Sequence, residues 1–455
     1  MDETKTIAKH LVDLEYSSIP DHILTEMKVL LLDYLGVALG GTRTESGRIA
    51  AQFSRDFGEK GEATIIGFGY RVSAPSAAFS NAILSHSIEL DDVDSLSYVH
   101  FSPPILSAAL AMGEKVHSSG KDLLVALVAG CDLVARLSSA MNPSLRDRGF
   151  HTTSTCGVFG AAAASAKLLH LEFQGMVNTL GLAGGQASGL MEFYGTSMQK
   201  RLNPGPPARG GTISALLAQR GFTGAETILE GERGFLKAYS DRFDLRLLLD
   251  GLGRTFPIAL EYKPYACARP IHLAIDCALA MGREHRIDPA QISNITVFRH
   301  PRWAHYHMIN RPRTYHEAQM SLPFAVAVSL VEGDAFLEQF SEEKLKDARI
   351  QKLSGMVESR TIDGLPRDVS CRMEVTLKDG AHYVTQVDYP KGSMQNPMTP
   401  DERRSKFTKL SSGILDEDKQ RKVEEWIFDL ENREDFSDIL ELVVGRVNSR
   451  DEVSS

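Results

Sequence analysis

The chain has 455 residues, 43% of them hydrophobic and 24% charged, with 50 Lys+Arg against 59 Asp+Glu and a formal charge of -9. That length allows two or three domains with ample buried core. The composition excludes collagen-like, mucin-like and disordered chains, and the acidic balance argues against a nucleic-acid binder, which needs a basic face. An acidic protein that takes an anionic ligand must gather its cations locally rather than rely on its overall field.

In chain order, the first half reads as helix after helix. Following Ser18 and Pro20, the stripe Ile23, Met27, Leu30, Leu31, Tyr34 and Ala38 runs to a stop at Gly40-Gly41. Pro75-Ser76 lead into SAAFSNAILSHSIEL, Pro103-Pro104 into ILSAALAMGEKV, and Gly120 precedes KDLLVALVAGCDLVARL. In GVFGAAAASAKLLH, the small residues Gly157, Gly160, Ala161 and Ala164 permit close helix contact. These helices are apolar almost all round, which predicts the interior of a large bundle. After about residue 260 the character changes. ISNITVF is a β-branched run, and Val369, Cys371, Met373, Val375 and Leu377 alternate with polar residues before Asp379-Gly380 turns the chain into Tyr383, Thr385 and Val387. SLPFAVAVSLVEG and EEKLKDARIQKLSGMV read as helices between the strands. YPKGSMQNPMT is a Pro/Gly-rich exit, DERRSKFTKL and DEDKQRKVEEWIFDLEN return to helix, and NSRDEVSS is expected to fray. The predicted fold is mainly α. A discontinuous all-helical domain is built from 1–258 and 396–455, and a smaller α+β lid domain covers 259–395.

Five cysteines without a C-x-x-C pair exclude a dense disulfide framework or a zinc ribbon and suit a reducing compartment. The opening MDETKTIAKHLVDLEYSS carries acidic residues and no apolar core behind a basic cluster, so neither a signal nor a transit peptide fits. The apolar runs at 123–134 and 158–169 are short, interrupted or Ala-rich for a bilayer span. A cytoplasmic protein is expected, with no membrane or nucleic-acid partner.

Four stretches place ionisable residues in Gly-, Pro- or Ser-rich breaks between apolar helices, where function tends to sit. HSIELDDVDSLSYVHFSPP crowds Glu89, Asp91, Asp92 and Asp94 ahead of His100; such carboxylates raise one another's pKa and favour either protonated acids or a bound cation. RDRGFHTTSTCG sets His151 at a helix start, suited to acid–base work near neutrality. GTSMQKRLNPGPPARGGT brackets a loop with Lys200, Arg201 and Arg209, an anion site by cations and free N–H groups. EYKPYACARPIH brings Lys263, Tyr265, Arg269 and His272 to the expected junction of the two domains, a favoured place for a ligand cleft. Each also has a structural reading: an acidic helix end, a cap, a solvated loop, an interdomain salt bridge. The histidines of HPRWAHYHMINRPRTYHEAQ (His300, His305, His307, His316) lack a second His-x-His or a fixed-spacing carboxylate, and no metal is expected. GFG at 67–69 lacks a strand–GxGxxG–helix setting, and no GxxxxGK[ST] occurs, so a nucleotide is not expected either.

Taken together, HSIELDDVD…H…PP, GFHTTSTCGVFGAAAASAKLL, MQKRLNPGPPARGG, LLAQRGFTGAETILEG, YKPYACARPIHLAIDC, AQMSLPFAVAVSLVEG and YPKGSMQNP resemble, in order and over nearly the whole chain, the MmgE/PrpD family. That family includes 2-methylcitrate dehydratases, cis-aconitate decarboxylases and an iminodisuccinate epimerase. The resemblance implies a homodimer, a helical domain with an α+β lid, and a cofactor- and metal-free site between them. By the same resemblance His100, His151, Lys200 and Lys263 fall on site positions, with Asp91 orienting a histidine. Glu89, Arg201, Tyr265 and Phe324 are then expected to bind substrate. Four positions depart from the family pattern: Glu89 stands for an aspartate, Val93 for a threonine, Phe324 for a tyrosine and Ser393 for a histidine. Two hydroxyls are thereby expected to be lost from the pocket, and a site without its polar partner discriminates against the matching substrate. The implied activity is a lyase on a small di- or tricarboxylate, most like 2-methylcitrate dehydration or cis-aconitate decarboxylation. An epimerase and a non-catalytic carboxylate binder are the alternatives. Lys200 and Lys263 would stabilise the charge of the deprotonated intermediate while His100 and His151 exchange the proton.

Overall fold

A computed structural model of the protein describes residues 2–57, 60–193, 197–367 and 369–445. The apolar runs fold into α1 (Asp21–Gly41), α2 (Ala74–His86), α3 (Ser102–Val116), α4 (Gly120–Met141), α5 (Gly157–Leu168) and α6 (Gly205–Gln219), with shorter helices around them. Helix α5 lies at the centre, packed on α3, α4 and α6. Its small residues explain the packing. A Cβ on Gly160 would meet Val134 Cγ2 at 2.5 Å and the Gly130 carbonyl oxygen at 2.9 Å, so any larger residue would push α4 and α5 apart. Helix α4 is long and apolar enough, by composition, to cross a membrane, and nearly all of it is buried among other helices. It also holds a buried ion pair, Arg136 Nε to Asp132 Oδ1 at 3.0 Å.

The lid is a four-stranded sheet in the order β2-β1-β3-β4, with β1 Ile292–Arg299, β2 Val357–Thr361, β3 Cys371–Leu377 and β4 His382–Val387. Strands β1 and β2 are parallel; the other pairings are antiparallel. In β3 the predicted alternation holds, with Cys371, Met373 and Val375 buried under α7 (His272–His285). Gly380, at a φ of +89°, makes the turn into β4. Strand β2 is not among the predicted elements. Its sequence VESRT is polar on an edge, and periodicity gives it no signal. EEKLKDARIQKLSGMV accordingly forms two short helices that lead into it rather than one long one. Helix α8 (Leu322–Glu332) completes the lid core.

Helices α9 (Pro400–Ser411) and α10 (Glu417–Phe428) pack on α1, and Phe407, Val423, Trp426 and Ile427 share one core with it. Residues 448–455, expected to fray, lie outside the described residues. The two cores meet where Val37, Ile88, Leu90 and Leu410 enter the lid's apolar cluster. All five cysteines are free and buried.

Candidate active site

The segment after α2 alternates strictly. Ile88 and Leu90 are buried in the lid core, while Glu89 and Asp91, each following one of them, enter a charged network. Burying two such side chains contributes about 1.5–3 kcal/mol each. That offsets the backbone cost at Glu89, held at a φ of +57°. Lys406 fixes the same strip from the helical side, its Nζ 2.6 Å from Asp33 Oδ1 and 2.7 Å from the Leu90 carbonyl oxygen.

Glu89 is 0% exposed. Its Oε1 accepts from Lys200 and Arg201, and its Oε2 lies 3.3 Å from Lys263 Nζ. Asp91 Oδ2 lies 2.7 Å from His86 Nδ1 and 2.9 Å from His100 Nδ1, and its Oδ1 is 3.6 Å from Lys263 Nζ. The crowded acids thus divide their work. Asp92 caps α3, accepting from the N–H of Phe101 (2.8 Å) and Ser102 (3.0 Å). Asp94 accepts from the N–H of Leu96 at 2.8 Å and of Ser97 at 3.2 Å in a local turn.

His100 Nδ1 also meets the Asp92 carbonyl oxygen at 2.6 Å. Both partners of Nδ1 are acceptors, so Nδ1 carries the proton and Nε2 the lone pair. His151 follows Gly149, which has a φ of +86°, and starts a short helix, its N–H donating to the Gly189 carbonyl at 3.1 Å. Ser154 Oγ donates to the Asn203 carbonyl (2.8 Å) and lies 3.1 Å from His151 Nδ1, which also meets Asn203 Nδ2 at 3.4 Å. Lys200 is on the short helix Gln199–Leu202. Lys263 is fixed by the two residues before it: Glu261 bridges Val93 through two 2.9 Å backbone bonds, and Tyr262 N–H donates to the Gly392 carbonyl at 2.9 Å. Gly392 is obligatory there, since a Cβ would sit 1.8 Å from the Tyr262 oxygen.

The charges follow from these neighbours. Burial by itself raises the pKa of Glu89, but Lys200, Arg201 and Lys263 hold it well below the usual carboxylate range. Asp91 is likewise raised by burial and held low by His100, His86 and Lys263. Burial lowers Lys200 to about 8, Glu89 opposing and Arg201 and Lys263 adding to the fall. Burial also lowers Lys263, yet Asp91 and Glu89 more than reverse this and raise it. Burial takes His86 down to about 4 against Asp91, and with the nearby His86 and His100 takes His151 well below its ordinary value.

Glu89, His100, His151, Lys200 and Lys263 line one cavity of about 220 Å³, walled on one side by the helices and on the other by the lid. Among the described residues, six cationic side chains (Arg146, Lys200, Lys263, Arg269, Arg299, Arg367) line it against three carboxylates (Glu89, Asp94, Glu261). Local cations thus outnumber anions inside an acidic protein. Asp91 and Arg201 stand behind the lining: Asp91 under the histidines, and Arg201 with Nη2 2.8 Å from Gln319 Oε1. Of the residues expected to bind substrate, Glu89 lines the cavity, Arg201 stands behind it, and the other two lie away from it. Tyr265 is turned into the lid, its hydroxyl donating to Asp276 Oδ1 at 2.6 Å, and Phe324 is buried in the lid core near Phe340. Neither lines the cavity: Tyr265 is held away from it by Asp276, and no residue of α8, which carries Phe324, is among its lining. Val93 and Ser393 do line it.

Sequence reasoning misses His86, Gln319 and the arginines at 146, 299 and 367. His86 closes the last turn of an apolar helix, five residues before Asp91, and that short spacing is the available signal. Gln319 donates to the carbonyls of Ile88 (3.0 Å) and Ala266 (2.8 Å), tying the two halves of the site. Among the described residues the metal-capable trio is His86, Asp91 and His100, not the histidine-rich loop. In that trio both Nδ1 atoms meet Asp91 Oδ2 at hydrogen-bond distance, with the Lys263 ammonium beside it, an arrangement suited to holding protons.

The chain matches family models described as the MmgE/PrpD N-terminal domain over residues 5–248 and the MmgE/PrpD C-terminal domain over residues 265–432. A cis-aconitate decarboxylase-like protein, oryM, of Aspergillus oryzae is 30% identical over 98% of this chain and 98% of its own length. The cis-aconitate decarboxylase of Aspergillus terreus is 29% identical over 97% and 95%, and that of Homo sapiens is 27% identical over 97% and 94%.

Proposed function

This chain belongs to the MmgE/PrpD family, and we propose that it is a lyase that moves a proton beside a carboxylate of a small di- or tricarboxylate. The observation that carries this reading is the convergence of His100, His151, Lys200 and Lys263 on one cation-rich cavity. His100 is the base. Asp91 and the Asp92 carbonyl hold its Nδ1–H, leave Nε2 to take the proton, and stabilise the imidazolium that results. Lys263, kept charged by Asp91 and Glu89, neutralises the carboxylate beside the reacting carbon as charge builds on it. Lys200, at about 8, is the group best matched to give a proton near neutral pH. Burial and the neighbouring His86 and His100 keep His151 uncharged, so we assign it a neutral hydrogen-bonding role rather than that of acid. The chain's own groups supply base, acid and cations, and the reading needs no cofactor.

The relatives' names make carbon dioxide release from cis-aconitate the first reaction to test. Val93, an alkyl group in the cavity where the family pattern has a threonine, favours an acid of different polarity, such as an alkylcitrate losing water. NMR of a panel of polycarboxylates in deuterated water separates the outcomes. Release of carbon dioxide or water supports the lyase. Deuterium gained without loss of either would make the protein an isomerase, and thermal stabilisation without turnover would make it a binder.

A further inference from the structure

The cations of the cavity are not alike. Lys200 and Lys263 share Glu89, and Arg269 pairs with Glu261, its Nε 2.9 Å from Oε2. Arg299 is different. It ends strand β1, is 4% exposed, and donates only to main-chain oxygens, those of Tyr306 at 3.0 Å and Pro270 at 3.2 Å. Among the described residues no carboxylate pairs with it. A buried guanidinium without a counter-charge is costly, and the cost is relieved when an anion docks. Trp303, four residues on in the histidine-rich loop, also lines the cavity, and its indole Nε1 is buried with no hydrogen-bond partner among the described residues. A guanidinium charge without a counter-charge and an N–H without an acceptor therefore lie, among the described residues, on the lid side of a cavity whose helical side carries the proton-transfer groups.

We infer that Arg299 and Trp303 form a second anion subsite on the lid wall, which takes a carboxylate of the substrate remote from the one met by Lys200 and Lys263. The inference rests on the polycarboxylate reading above. It makes the lid wall the part that requires a second carboxylate, and it gives the histidine-rich loop a role in placing Trp303.

The test is calorimetric binding of a matched pair of acids, glutarate and pentanoate, which differ by one carboxylate. The unaltered protein is expected to bind glutarate about a hundredfold tighter. Arg299→Lys, which keeps the charge but loses the fork, and Trp303→Phe, which removes only the N–H donor, are each expected to shrink that ratio several-fold or more while pentanoate binds as before. A purely structural Arg299, tying Tyr306 to Pro270, would weaken both acids alike; that result overturns the subsite, as does an unchanged ratio in both variants. If neither acid binds the unaltered protein, the polycarboxylate reading falls and takes the subsite with it.

Discussion

The two walls of the cavity handle charge in opposite ways. On the helical wall, Glu89 and Asp91 are wholly buried, and each is surrounded by partners: Lys200, Arg201 and Lys263 around one, His86, His100 and Lys263 around the other. On the lid wall, among the described residues, Arg299 answers only to backbone carbonyls and Trp303 Nε1 to nothing. A compensated network fixes protonation states and orientation before any ligand arrives. An uncompensated donor set holds its interaction energy for the ligand. The difference teaches that chemistry and recognition are given to separate parts of the cavity, the Glu89–Asp91 network (which takes Lys263 from the lid) and the Arg299–Trp303 corner, so damage to each should look different.

The sharpest break is expected on the helical wall. Asp91→Asn should leave the pocket in place but release the His100 tautomer, lowering turnover by about 10³–10⁴-fold with little change in KM; steady-state assays of the acid found by NMR check it. A raised KM with intact turnover would move Asp91 from chemistry to binding. Next in size is Glu89→Gln, which strands three buried cations and should cost about 3–5 kcal/mol of stability, read by denaturant unfolding. Because the Glu89 pKa is depressed in the fold, its contribution is present above the ordinary carboxylate value near 4.5 and is lost as pH falls toward the folded value. The unaltered protein should therefore lose stability in acid more steeply than the Gln variant.

A smaller effect concerns pH and turnover. Lys200, lowered to about 8, loses its proton as pH rises through that value, so turnover should fall on an alkaline limb near 8 rather than near 10. Lys200→Arg keeps its charge throughout and should remove that limb from the profile at a reduced rate. A limb that stays at 8 would assign the proton to another group. Smallest is Val93→Thr, which restores one hydroxyl in the cavity. It should shift the kcat/KM ratio between cis-aconitate and an alkylcitrate by about tenfold, while Phe324→Tyr, outside the cavity, should not shift it.

Much of the proton-transfer network is legible in the amino-acid sequence. His100, His151, Lys200 and Lys263 stand out because each interrupts or borders an apolar run, and apolar runs are read from local spacing. The helices around them follow the same signal, as does the β3–β4 hairpin with its Asp379-Gly380 turn. Arg299, Trp303 and Gln319 are opaque because nothing in their neighbours marks them. Arg299 looks like the last residue of a strand, and Trp303 draws notice only through the histidines around it. Strand β2 is hidden for a related reason: its partner, β1, lies more than fifty residues away, and a polar edge strand has no periodicity to betray it. Tyr265 and Phe324 mislead in the other direction. Motif position puts them near the site, but which side of an element faces a cavity is set by what packs on its other side.

The sequence by itself determined where most helices and strands lie and which ionisable residues sit in the breaks between them, since hydrophobic periodicity and turn chemistry act over a few residues. Only the tertiary structure decided which of those charges are neutralised and which are left for a ligand. Glu89 meets Lys200, Arg201 and Lys263 across more than a hundred residues of chain, and Arg299 meets no carboxylate among the described residues. Charge compensation depends on distance in space and on burial, and neither is written in the spacing of the chain.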